Sequence, residues 1–295
     1  MENKSKYSVA TIKWIVSIGL LVAAFQYIDW TEAKRLIGTI RWGWIVLAFL
    51  LFVGAQFVRA SRLLALYQCL GSKISVSQHL RIFWVSLFYS RVMPLGNGHA
   101  ISAFYLNQQF GAPIKSVTTA IRLDKLSEAL CLLFLACIGL LIIQNDALGS
   151  VLFYGGLAVV FLVIPLYSYW VGKHHYIFHS AFWLVNFHSL AVSFMQILSA
   201  YFVLRSLGVA SSFLEYQTLF LLSAVAALFP YTLGGLGLRE VVFIIGASMI
   251  GLSGEVGLLV GLFFFCFQLL TAMAGGFLHL KKETFLSSPT KKRFK

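Results

Sequence analysis

The stretch Pro230-Tyr231-Thr232-Leu233-Gly234-Gly235-Leu236-Gly237-Leu238-Arg239-Glu240 breaks a strongly apolar run and places an Arg-Glu pair directly after the break. Proline lacks an N–H and glycine has the most backbone freedom to lose, so neither continues a helix well. In lipid, a broken backbone survives only where protein or a water-filled cavity satisfies its polar groups. An ionisable pair beside such a break marks a pathway or binding site. A weaker copy, Pro94-Leu95-Gly96-Asn97-Gly98-His99, lies earlier in the chain. Paired interruptions in corresponding halves point to a site near the bilayer midplane, between repeats of opposite topology.

The rest of the chain agrees with a membrane setting. Of its 295 residues, 59% are hydrophobic and only 11% charged, and the mean hydropathy is +0.85. Soluble domains carry about 25% charged residues. The fold class read from this is an all-α polytopic membrane protein, a single transmembrane domain over 1–295 with no hydrophilic block long enough for a soluble domain. The net charge of +13 does not imply nucleic acid, because the basic residues flank apolar spans. There they set topology and attract anionic lipid, and the run Lys291-Lys292-Arg293-Phe294-Lys295 reads the same way. Cys69, Cys131, Cys137 and Cys266 form no CxxC pair, so neither a zinc site nor a disulfide framework is indicated. Lys4, Lys6 and Lys13 precede the first apolar run without a convincing cleavage site, which reads as an uncleaved first span.

Spans are expected at about 13–28, 42–59, 117–143, 150–171, 180–205 and 255–280, with a polar interfacial segment over 29–41. A basic loop carrying Arg59, Arg62, Lys73 and Arg81 is expected after the second span. The broken regions 77–111 and 215–251 can each be a re-entrant hairpin or two crossings. If both are hairpins, loop 59–76, Lys115, Lys173 and both termini share one face, and Asp146, Glu215 and Glu255 share the other. That obeys the positive-inside rule, with both termini cytoplasmic. The expectation is therefore about six full transmembrane helices plus two opposed re-entrant hairpins in an inverted repeat, with eight spans as the alternative.

Three groups of residues could carry chemistry. Arg122, Asp124, Lys125 and Glu128 lie near the start of a long apolar helix. Asp124 and Glu128 are four apart and share a face, and Lys125 can pair with Glu128. The plain alternative is a charge ladder at the cytoplasmic rim. Arg239 and Glu240 follow Gly234, Gly235 and Gly237. A half-helix starting there would present its N-terminal amides to an anion, and a guanidinium fork suits phosphate. The plain alternative is an Arg-Glu pair at a helix cap. Asn97, His99 and the preceding Arg91 mark the first break, where His99 could carry a proton; a lone histidine in an apolar run is more often structural. His188 is a similar case, and His174 and His175 read as interface residues.

Enzyme signatures are missing. The only aspartates, Asp29, Asp124 and Asp146, are far apart, and no DxD, HExxH, GxSxG or Walker A sequence occurs. No cofactor, metal or ATP site is expected.

At these residues the chain resembles the flippase-like membrane region of the lysyl-phosphatidylglycerol synthases and its stand-alone relatives. The resemblance rests on the stretch from Pro230 to Glu240, which fits P-x-x-x-G-G-x-G-x-R-E, on the Pro94-to-Gly98 break, and on Asp124-Lys125-Leu126-Ser127-Glu128. The first break departs from the family pattern, with His99 and Ser102 where members often carry Glu and Arg. The resemblance implies a protein of the bacterial cytoplasmic membrane that moves or handles a phospholipid or lipid-linked substrate, with hairpins meeting at a cavity. The soluble aminoacyl-transferring domain is not in this sequence, so the chain is not expected to make lysyl-lipid itself. The expected function is lipid translocation rather than enzymatic chemistry. A membrane subunit or scaffold for a partner lipid-modifying enzyme is the alternative, and the oligomeric state is open.

Overall fold

A computed structural model describes residues 2–72, 74–92, 98–143, 149–228, 232 and 235–280, of which some side chains in helices are excepted. The described residues form twelve α-helices and no strand. They are α1 (Glu2–Gln26), α2 (Trp30–Gly38), α3 (Trp42–Cys69), α4 (Val76–Val92), α5 (Gly98–Phe110), α6 (Ile114–Ile143), α7 (Gly149–His174), α8 (Tyr176–His179), α9 (Phe182–Ser206), α10 (Phe213–Ala227), α11 (Leu238–Met249) and α12 (Gly254–Leu280). Five of them (α3, α6, α7, α9 and α12) are long and apolar enough to cross a membrane, and Ile15–Gln26 of α1 is a shorter apolar stretch.

One expected boundary is corrected. The second span does not stop at 59, because α3 runs on to Cys69. Arg59 and Arg62 therefore sit on a helix instead of in a basic loop, and Arg62 is fully buried. The chain continues as Leu63-Leu64-Ala65-Leu66, all buried, so helix and apolar face persist past the arginines.

The two broken regions fold as pairs of short helices. In the first, α4 has 17 residues and α5 has 13; in the second, α10 has 15 and α11 has 12. At 1.5 Å per residue these reach about 18–26 Å, short of the roughly 30 Å hydrocarbon core. Each pair packs on itself. Their length is that of re-entrant hairpins.

The helix ends define two faces. The Asp29 N–H donates to Glu255 Oε1 at 3.0 Å, and the Arg41 N–H donates to the Ser206 carbonyl at 3.1 Å. The starts of α3 and α12 and the end of α9 thus lie together. At the opposite face Cys69 Sγ is 3.6 Å from Ser180 Oγ. So α3 and α9 run antiparallel. They pack along small residues, with Ala48, Ala55, Ser189, Ser193 and Ser199 all wholly buried, and Ser199 Oγ donates to the Ala48 carbonyl at 2.8 Å. Close backbone approach through small side chains is the usual way lipid-embedded helices associate.

Around this pair the remaining contacts repeat. The α4–α12 contact matches α10–α6, α5–α6 matches α11–α12, and α3–α4 belongs with α9–α10. The α3–α6 unit and the α9–α12 unit thus form an inverted repeat, with hairpins that enter from opposite faces.

Candidate functional site

On α3, Arg59 and Arg62 are three residues apart and share a face. On α6, Asp124 and Glu128 do the same at a spacing of four. The two pairs meet. Arg62 Nε donates to Asp124 Oδ1 at 2.6 Å, and its Nη2 donates to Glu128 Oε2 at 2.9 Å. Its Nη1 donates to Ser189 Oγ on α9 at 3.0 Å. All three branches of the guanidinium are used, which is what an arginine with no solvent exposure requires. Arg59 Nη2 donates to Glu128 Oε1, while Nη1 takes Gln56 at 3.3 Å. Arg59 Nε is buried with no hydrogen-bond partner among the described residues. Behind α6, Ser127 Oγ and the Tyr167 hydroxyl lie 2.8 Å apart. That bond helps fix the rotation of α6 and aims Glu128 at α3.

Glu128 stands halfway along the 30 residues of α6, so the network lies about 20 Å from either end of the helix. It was predicted only in half. The acid pair was legible as an i,i+4 motif. Both oxygens of Glu128 are taken by the arginines of α3, not by the adjacent Lys125 that the local spacing suggested. Arg122 and Lys125 are exposed on the outer side of α6.

The second hairpin brings its own charges. Gly235 and Gly237 have φ of +88° and +83°, values that L side chains adopt only with strain. A Cβ on Gly237 would sit 2.7 Å from the Ser17 carbonyl and 2.8 Å from Leu20 Cβ, so α1 closes over this turn. The glycine turn starts α11. Glu240 caps that start by accepting the Gly237 N–H at 2.7 Å. The carboxylate is buried at 1% exposure and lies on Gly261 of α12, whose Cβ would come within 2.6 Å of Oε1. The Gly237 amide at the α11 N-terminus is thus engaged by the protein's own carboxylate, and the group an incoming anion would meet here is Arg239.

Arg239 is held by aromatic rings. Its guanidinium lies 5.6 Å from the centroids of both Phe220 and Phe264. No carboxylate among the described residues is within ion-pair distance of it, and its Nη1 is buried without a hydrogen-bond partner among them. Cation–π contact in a desolvated setting contributes about 2 kcal/mol, yet it leaves the N–H donors unspent. A small, water-sized pocket borders Arg239, lined also by Gly235, Leu236, Glu240, Gly261, Phe265 and Gln268.

The first hairpin reaches the same place. Arg91, in the last turn of α4, is half-buried, and its charge is close enough to Arg59, Arg239 and Glu128 for each to act on it. Arg239 in turn feels Arg59. Arg91 at the end of α4 and Arg239 at the start of α11 are thus electrostatic neighbours of the Arg59–Glu128 pair. Asn97 and Gly234 lie outside the described residues; His99 is in the first turn of α5, but its side chain is outside them too. Ser102 is buried, and its Oγ lies 2.6 Å from Ser86 Oγ across the hairpin. His188 Nδ1 is 2.7 Å from the Leu184 carbonyl one turn back on its own helix. Among the described residues no cluster of His, Cys, Asp or Glu could hold a metal ion.

Compared with known families, residues 10–276 match the lysylphosphatidylglycerol synthase TM region. No curated protein and no solved structure matches the chain.

Proposed function

The chain belongs to the lysylphosphatidylglycerol synthase TM region family, and from that premise we propose that it translocates a phospholipid or related amphiphile between bilayer leaflets. The observation that carries this reading is Arg239. It is a guanidinium at the tip of a broken helix, seated between two rings, with an unspent donor beside a pocket. A cation kept at membrane depth without a carboxylate partner is costly unless an anion visits it. A phosphodiester meets that need, because its oxygens match the guanidinium fork.

The head group would cross between the two hairpin tips while its acyl chains stay in lipid. Arg239 would hold the phosphate, with Arg91 and Arg59 adding positive potential around it. The Arg62–Asp124–Glu128 network would set the spacing of α3 and α6 on one side of the path. The glycines of the turn let backbone or head group approach closely. An inverted repeat suits a path opened alternately to each side. The membrane is read as a bacterial cytoplasmic membrane. Lys115 and Lys173 face the cytoplasm with both termini, and Asp29 and Glu255 face outward. With no catalytic motif and no ATP motif in the sequence, the movement would be driven by a gradient or be passive.

Reconstitution tests the proposal. Purified protein is placed in vesicles with head-group-labelled lipids, and exposure of label to a membrane-impermeant quencher is followed. Protein-dependent exposure that is lost in Arg239→Ala is the expected result. Failure of folded protein to move any lipid would favour a scaffold for a lipid-modifying enzyme, and transport retained by Arg239→Ala would overturn the role of that residue.

A further inference from the structure

Asp124, Glu128 and Glu240 all lie inside the helix assembly, but they are not alike. Asp124 takes Arg62, and Glu128 takes both Arg59 and Arg62. Glu240 is 1% exposed, yet no cation among the described residues is within ion-pair distance of it. Its Oε2 accepts the Gly237 N–H at 2.7 Å, and its Oε1 lies against Gly261 of α12. The charge that acts on it is that of Arg239, the preceding residue. The elements packed on α11 are α1, α10 and α12. On α10, Glu215 and Tyr216 stand near its start, and on α12 Glu255 does the same; both starts are remote from the glycine turn. Cys266 of α12 is exposed. The side chains of His279 on α12 and of Lys13 on α1 lie outside the described residues.

A carboxylate cut off from water and from any cation is costly, and a proton removes that cost. The pocket beside Glu240 suits proton exchange. It is water-sized, and it brings together a buried donor, Arg239 Nη1, and a buried acceptor, Gln268 Oε1, neither with a partner among the described residues. A buried water needs about two to four polar partners, and these groups supply them. Ionised Glu240 adds an acceptor to the set. Protonated Glu240 adds an O–H donor instead, which is what Gln268 Oε1 lacks. Arg239 thus has a use for the ionised form and Gln268 for the acid. Broken-helix ends near the midplane are also where transporters built on inverted repeats hold their coupling ions.

We infer that Glu240 is a proton-binding site linked to phosphate binding at Arg239, so that an anionic lipid and a proton move together. The link is the shared charge field of the two neighbours. A proton on Glu240 removes the negative charge beside the guanidinium, and an incoming phosphate then meets Arg239 without competition. By reciprocity, a bound phosphate favours the proton to the same degree.

The inference rests on the translocation reading for the movement, while the proton linkage is measurable as binding. The probe is dihexanoyl-phosphatidylmethanol, whose one phosphodiester charge stays constant between about pH 5 and pH 9, where buried carboxyls titrate. It is titrated by calorimetry into detergent-solubilised full-length protein, in buffers of differing protonation enthalpy. Wild type should take up protons as it binds the probe. Its affinity should rise at least fivefold towards the acid end, the lower bound of ordinary coupling between sites. Glu240→Gln keeps an acceptor for the Gly237 N–H and mimics the acid. It should bind as tightly as acidified wild type at every pH and take up no proton. Gln268→Leu removes the acceptor for the acid and should move the rise in affinity to lower pH. No proton uptake by wild type overturns the inference, and so does a Glu240→Gln protein that keeps the wild-type pH dependence. Absence of probe binding at any pH removes the phosphate from Arg239 and the linkage with it. In vesicles, an imposed pH gradient should bias the movement of head-group-labelled lipid by wild type and not by Glu240→Gln. Proton-linked binding without lipid movement would sink translocation alone; lipid movement without proton uptake would sink the linkage alone.

Discussion

Arg62 of α3 donates to Glu128 of α6 at 2.9 Å, halfway along α6, and has no exposed surface. The bond ties together two helices of one repeat, beside Arg91 at the end of α4 and Arg239 at the start of α11. It also carries an asymmetry. Arg62 spends every branch on Asp124, Glu128 and Ser189, while Arg59, one turn earlier with 19% of its side chain exposed, keeps Nε free of partners among the described residues. One arginine is structural and the other is available.

That difference predicts unequal mutants. Arg62→Met leaves Asp124 without its ion pair and Glu128 with one arginine, and should cost about 3–5 kcal/mol. It should appear as a marked fall in melting temperature in detergent. Adding Asp124→Asn to Arg62→Met should recover part of the loss, because Glu128 keeps its pair with Arg59 and no carboxylate of the network is then left without a cation. Arg59→Gln removes a partly solvated pair and should destabilise less. A melting temperature lower for Arg59→Gln than for Arg62→Met would contradict this division of roles.

The turn before α11 predicts a second contrast. Gly237→Ala would force a side chain into φ +83° and against the Ser17 carbonyl of α1. Strain alone is worth about 1–3 kcal/mol, and the backbone of α1 must move as well. Gly261→Ala meets only the Oε1 end of Glu240, yet shifting that carboxylate uncaps α11, a loss of about 1 kcal/mol. Gly237→Ala should therefore lower expression of monodisperse protein sharply. Gly261→Ala should fold and instead impair lipid movement through the displaced pocket wall. Normal transport by Gly261→Ala would separate the cap from the pathway.

How much of this was legible in the sequence depended on range. The break at Gly235 and Gly237 was readable because glycine and proline act through their own backbone. The Asp124–Glu128 face was readable because a helix brings residues four apart together. Arg59 and Arg62 were misread as a loop, since a span is long enough by residue 59 and arginine usually ends one. Their partners lie 62 to 69 residues away, and no local pattern announces them. The surviving clue was the apolar run Leu63-Leu64-Ala65-Leu66, which a true interfacial loop would not need to bury. The rings of Phe220 and Phe264 around Arg239 come from α10 and α12 and were invisible for the same reason.

The two faces set by the helix ends predict accessibility. In a cysteine-free background, single cysteines at Ile40 and Ser253 should react with an impermeant thiol reagent from one side of the membrane. Cysteines at Gly71 and His175 should react from the other. The pairings follow from the Asp29–Glu255 and Cys69–Ser180 contacts. Labelling of positions 40 and 71 from the same side would break the antiparallel α3–α9 arrangement and the inverted repeat with it.

The repeat also predicts matched interfaces of unequal tolerance. In each half a glycine of the last long helix lets the first helix of the opposite hairpin approach. A Cβ on Gly139 of α6 would collide with Thr218 Oγ1 on α10, and one on Gly275 of α12 would collide with the Trp84 carbonyl on α4. Thr218 can turn its side chain away, at the loss of its 2.8 Å bond to the Leu214 carbonyl. Replacing a helical glycine by alanine also stabilises the helix itself by about 1 kcal/mol. Gly139→Ala should therefore cost less than Gly275→Ala, and adding Thr218→Ala, which removes Oγ1 and Cγ2 and leaves only the 3.1 Å approach of Cβ, should recover most of that cost. Gly275 offers no such relief, because a backbone carbonyl inside α4 cannot rotate without breaking its helix. Overpacking there costs about 1–3 kcal/mol and pushes α4, with Arg91, away from the Arg59–Glu128 pair. Gly275→Ala should lower both the melting temperature and lipid movement, and no single side-chain truncation on α4 should restore them. Equal tolerance of the two alanines would show that the α4–α12 contact is looser than the backbone approach at Gly275 requires.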